Sequence, residues 1–72
     1  MWNAEILLYS ATTYSVENLK SIKSDGPSQS VLSDDRISEF SLPLEGSLTF
    51  SSESKIFTIA VSNVEYVILS KK

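Results

Sequence analysis

The sequence predicts a mainly β (α+β) fold: a small antiparallel sheet or open barrel of four to five strands, with one short helix after the first strand. Three observations carry this expectation. Apolar and polar residues alternate through most of the second half, as strands with one buried face require. Turn-forming pairs such as Glu45-Gly46 and Ser62-Asn63 separate the alternating runs. One segment alone, beginning at Tyr14, spaces its apolar residues at three and four between helix start and stop signals.

Residues Asn3 to Thr13 read as the first strand, with Ala4, Ile6 and Leu8 on one face and Leu7 and Tyr9 apolar on the other. Apolar residues on both faces suit a central strand, or one whose outer face another subunit covers. The helix follows. Ser15 is a good N-cap, Glu17 suits the positive first turn, Tyr14 and Leu19 occupy the two positions of a hydrophobic staple, and Val16, Leu19 and Ile22 form a narrow stripe. Gly26 and Pro27 stop it. The rival reading, a second strand with Tyr14, Val16 and Ile22 on one face, is disfavoured by Asn18 and Lys20.

Residues 24–33 contain turn formers and few apolar anchors, so a flexible loop is expected there, either a plain connector or a binding loop on a rigid scaffold. A single helical turn from Ser33 through Phe40 competes with a strand beginning near Arg36, and the strand is preferred. Beyond it a β-meander is expected. Phe40, Leu42 and Leu44 alternate, with Pro43 marking an edge, a bulge or an end. Leu48 and Phe50 share a face in the next strand, and Phe57, Ile59 and Val61 in the one after. The last strand runs from Val64 to Leu69, and Lys71 and Lys72 could blunt its edge.

The 72 residues are read as one β-rich domain, 1–72. A domain of about 60 residues buries only about 60% of the surface that its unfolded chain exposes. With no cysteine to form a disulfide and no metal-binding pattern, association with further copies of the chain is the expected reinforcement, a marginal monomer being the alternative.

Chemistry is constrained by what is missing. The chain has no histidine and no cysteine, so the usual general base, the commonest metal ligand and the thiolate nucleophile are all absent. No serine has a base at a useful spacing: Lys20 and Ser21 are neighbours and diverge. Asp34, Asp35 and Glu39 are the one carboxylate cluster, without a calcium-loop spacing. Only Gly26 and Gly46 are available for a phosphate cradle, and neither lies in such a pattern. Phe50, Lys55 and Phe57 faintly suggest a base-stacking platform, but both rings fit the core alternation. No enzyme activity, cofactor or metal is therefore expected.

The net charge is −3, which argues against direct nucleic-acid binding. From Asp25 to Glu53, six carboxylates against Arg36 alone give −5. That stretch suits a basic protein surface, with Asp34, Asp35, Glu39 and Glu45 as candidate partner-binding residues. Trp2 either extends the core face of Ala4, Ile6 and Leu8 or anchors another chain, and Tyr9, Tyr14 and Tyr66 join it as candidate interface residues. No apolar run approaches the ~20 residues of a membrane span, and no basic residue precedes Ile6 to Leu8 as in an export signal, so a cytoplasmic setting is expected. Together these readings point to a non-enzymatic, oligomeric accessory or inhibitor protein. The alternatives are a small-ligand binder with a tyrosine-lined pocket between subunits, or a structural assembly subunit.

Overall fold

A computed structural model describes residues 1–71. Six strands, β1 (Trp2–Leu8), β2 (Thr13–Asp25), β3 (Ser30–Ser33), β4 (Ser47–Ser52), β5 (Ile56–Ala60) and β6 (Val64–Lys71), form one antiparallel sheet. Two 3-10 turns, η1 (Asp34–Glu39) and η2 (Val61–Asn63), complete it. The fold is mainly β, as the alternation predicts. The expected helix is absent: its residues are the middle of β2.

β2 organises the sheet. Leu19 pairs with Trp2 of β1 on one side and Ser52 of β4 on the other, while Ile22 pairs with Leu32 of β3 and Phe50 of β4. β1 and β3 therefore follow one another along one edge of β2, and β4 lies along the opposite edge. Register shifts fall on both sides of Leu19, and Asn18 takes a left-handed φ of 54°. Each bulge adds a residue and restores the same face after three positions instead of two. Val16, Leu19 and Ile22 accordingly all point into the core, and their spacing copies a helical stripe.

The strand order is β5-β4-β2-β1-β6. Four gaps of about 4.8 Å would separate β5 from β6 by roughly 19 Å in a flat sheet. Only Val61–Asn63 joins them, and four extended Cα steps reach no more than about 14 Å. The sheet must curl, and it does so into an open barrel. The rings of Tyr14 on β2 and Phe57 on β5, two strands apart in the sheet order, meet across the bend with centroids 4.8 Å apart, while the Val61 N–H extends the β4–β5 ladder onto the Gly46 carbonyl (2.9 Å). The concave face buries Ala4, Ile6, Val16, Leu19, Ile22, Leu48, Phe50, Val61 and Val64. Among the described residues no polar or charged side chain is buried with them.

Two further expectations are corrected. Residues 24–33 are not a continuous loop: Ser30–Ser33 form β3 against Ser21–Ser24, which leaves a turn over residues 26–29. The preferred strand near Arg36 is the 3-10 turn η1, because Ile37 is completely buried in the core and the Phe40 N–H closes the turn on the Ile37 carbonyl (3.1 Å). Residues 40–43 then run without regular structure, so the alternation of Phe40, Leu42 and Leu44 serves no sheet. Phe40 packs toward Phe50, with centroids 6.4 Å apart, whereas Leu42 and Leu44 are exposed. Of the two lysines proposed to blunt the last strand, Lys71 ends β6 and Lys72 lies outside the described residues.

Candidate functional site

Two loops meet at one end of β2. Gly26 follows the strand, and Gly46 precedes β4, where Ser47 pairs with Asp25. A Cβ on Gly26 would lie 2.9 Å from the Glu45 carbonyl oxygen, and one on Gly46, whose φ is +102°, would strike the Asp25 carbonyl. Both positions need glycine so that the backbones can touch. The contact places Asp25 and Glu45 on adjoining chain segments.

Between the loops lies a shallow cleft of about 430 Å³, with Pro27, Pro43 and Leu44 as its apolar lining and Asp25 and Glu45 among its polar residues. Leu44 is completely exposed. Asp25 Oδ1 accepts a hydrogen bond from Gln29 Nε2 (3.0 Å), which orients the carboxylate. Neither Asp25 nor Glu45 makes an ion pair among the described residues.

The predicted acidic surface divides. Asp34, Asp35 and Glu39 stand exposed on η1. Asp35 is bridged by Lys71 (3.6 Å) and Glu39 by Arg36 (3.8 Å), while Glu53, farther along the same acidic stretch, is bridged by Lys20 (3.0 Å). Basic residues from outside the stretch thus fold back onto it, and Asp25, Asp34 and Glu45 are its carboxylates without a cationic neighbour among the described residues. Glu45 is separated from the η1 group and belongs to the cleft.

The candidate interface residues also scatter. Trp2 is half-buried against the core, with Lys71 Nζ 5.7 Å from its ring centroid. Tyr9 is exposed in the β1–β2 turn, its N–H bonded to the Asn63 carbonyl (3.1 Å). Tyr14 pairs with Ile6 and Tyr66 with Leu7. Since Ile6 and Leu7 point to opposite faces, the two tyrosines share no pocket within one chain. Tyr66 lies instead with Ile68 and Leu7 on the outer face of β6 and β1.

A second cleft, of about 420 Å³, lies beside the first half of β2 and is lined by Ser15, Glu17, Asn18 and the β4–β5 turn. Every residue lining it is polar or charged. Among the described residues no group of three or more carboxylates is placed to hold a metal ion, and no helix is long and apolar enough to cross a membrane. The sequence places Asp25 in the acidic stretch but marks Pro27, Pro43 and Leu44 only as a stop signal, a strand irregularity and a strand residue, not as site residues. The available signal was a Gly-Pro and a Pro-Leu-Glu-Gly segment, two turns each carrying an apolar residue that no strand could use. No protein-family model, curated protein or solved structure matches this chain.

Proposed function

We propose that the protein is a non-enzymatic interaction module that occupies a basic, partly apolar surface of another protein, as an accessory or inhibitor protein would. One observation carries the reading: a completely exposed leucine, Leu44, in one cleft with two carboxylates, Asp25 and Glu45, that have no cationic neighbour among the described residues. Exposed apolar surface rimmed by polar groups marks contact sites, and unpaired charge of one sign speeds encounter with the opposite sign. A binding role is also favoured by the exposure of every described carboxylate, lysine and arginine, since acid–base catalysis draws on groups desolvated in a cleft. The proposal keeps the cytoplasmic setting expected from the sequence.

Self-association belongs to the same proposal and rests on a different observation. Tyr66 and Ile68 are about half exposed on the outer face of β6, a terminal strand of the sheet.

The test is kinetic. A partner captured at low salt is identified, purified and recombined with the protein at two ionic strengths. Association should slow as salt rises and the Debye length falls from about 10 Å at 0.1 M to about 3 Å at 1 M. D25N/E45Q should slow it further and flatten the salt dependence. An unchanged rate and salt response in that variant would overturn the reading.

A further inference from the structure

We infer that the cleft between residues 24–28 and 43–46 receives an arginine side chain from a partner protein; this rests on the interaction-module reading and names the chemistry of its site. The cleft combines two features that one side chain can satisfy together. Its apolar part, Pro27, Pro43 and Leu44, has no polar side-chain atoms and suits an aliphatic stem. Its acidic part, Asp25 and Glu45, stands on two backbones that touch at Gly26 and Gly46, and both residues line the cleft that a cationic head would enter.

Arginine fits this pair better than lysine. Lysine presents a compact, strongly hydrated ammonium that must lose water to lie against proline and leucine. The guanidinium is weakly hydrated and planar, with five donors spread over its fork, and can bond two carboxylates at once. Gln29 holds Asp25 Oδ1 and leaves the other oxygen of that carboxylate for the ligand. The cleft is also fixed in place. The Val61 N–H extends the β4–β5 ladder onto the Gly46 carbonyl (2.9 Å), and the Gly26–Gly46 contact leaves no room for the loops to close further, so little ordering opposes binding. A volume of about 430 Å³ lies within the roughly 300–1,000 Å³ of small-molecule sites.

The probe is the capped peptide acetyl-Ala-Leu-Arg-Ala-amide, with its lysine and citrulline counterparts, titrated into the intact isotope-labelled protein and followed by amide chemical shifts. The arginine peptide should move the amides of Asp25, Ser28, Leu44, Glu45 and Gly46. The lysine peptide should bind about five-fold more weakly, and citrulline, isosteric but uncharged, should not bind. D25N/E45Q should weaken the arginine peptide about ten-fold or more, and L44S should weaken it while keeping a folded spectrum. Equal binding of lysine, shifts confined to Asp34–Glu39, or no shifts at all would each overturn the assignment. If the peptide fails while a purified partner still associates in the salt-dependent way given above, only the arginine assignment falls. If both fail, the module reading falls with it.

Discussion

The backbone N–H of Asn18 donates to the side-chain oxygen of Asn3, 3.1 Å away, and the bond spans the point where β2 bulges against β1. At that point Asn18 adopts φ 54°, a conformation that asparagine tolerates and β-branched residues do not. The two residues together hold the bend that turns Val16 and Leu19 to the same side. Asn18→Val should therefore destabilise by roughly 1–2 kcal/mol, and Asn3→Ala by about 1 kcal/mol through the lost bond. Asn18→Gly should be close to neutral. Urea denaturation measures all three; equal stability of the valine and glycine variants would show that the left-handed conformation is not maintained.

The same bend explains where sequence reading failed. Alternation at Leu48 and Phe50, and at Phe57 and Ile59, was legible because each residue lies on an unbroken strand with one face toward the core; Val61 keeps that face although it opens the turn η2. Val16, Leu19 and Ile22 carry two register shifts between them, and a local pattern cannot distinguish bulged β spacing from helical spacing. The Tyr14–Leu19 pair that resembled a staple belongs to a strand whose Tyr14 meets Phe57, a contact set by the curl of the whole sheet. Of the candidate site, the acidity was legible and its distribution was not. Lys20 and Lys71 reach Glu53 and Asp35 only through tertiary structure, which also brings the backbone at residues 25–26 against that at residues 45–46.

Gly46 is the least replaceable residue of the cleft. Gly46→Ala combines an unfavourable φ of +102° with a collision against the Asp25 carbonyl, and should cost at least about 2 kcal/mol. Gly26→Ala meets the Glu45 carbonyl at 2.9 Å without the conformational penalty, so its cost should be smaller, about 1 kcal/mol. Thermal unfolding of the pair gives the order. A Gly46 variant as stable as the Gly26 variant would mean that the two loops do not touch.

Ile37 is the anchor of η1. Its side chain is completely buried, which contributes about 1.5–3 kcal/mol, whereas exposed ion pairs such as Lys71–Asp35 and Arg36–Glu39 contribute about 0–1 kcal/mol each. Ile37→Ala should cost roughly 2–5 kcal/mol, while D34N/D35N/E39Q should remain within about 0.5 kcal/mol of the parent protein. Denaturant midpoints should separate them clearly. A larger loss from the charge variant would mean that electrostatics, not burial, fixes η1.

The final expectation concerns self-association. β6 is the last strand in the sheet order, and it pairs with β1 on one side along its length except at Glu65, where the register shifts. On its outer face Tyr66 pairs with the half-buried Leu7, and Ile68 with the exposed Glu5, so two half-exposed apolar side chains, Tyr66 and Ile68, stand on the edge strand. Such an edge invites pairing with another chain unless charge or proline obstructs it. Edge-to-edge pairing of two β6 strands would continue the sheet and set Tyr66 and Ile68 beside cross-strand neighbours of the second copy, adding contact that a small core lacks. Light scattering after gel filtration at micromolar concentration should give a mass above 8.0 kDa, and the melting temperature should rise with protein concentration. Ile68→Lys should remove the concentration dependence and leave the strand content by circular dichroism unchanged, because Ile68 is outside the core. A parent protein of 8.0 kDa whose melting temperature is independent of concentration would show that β6 remains an unpaired edge and that this chain folds as a monomer.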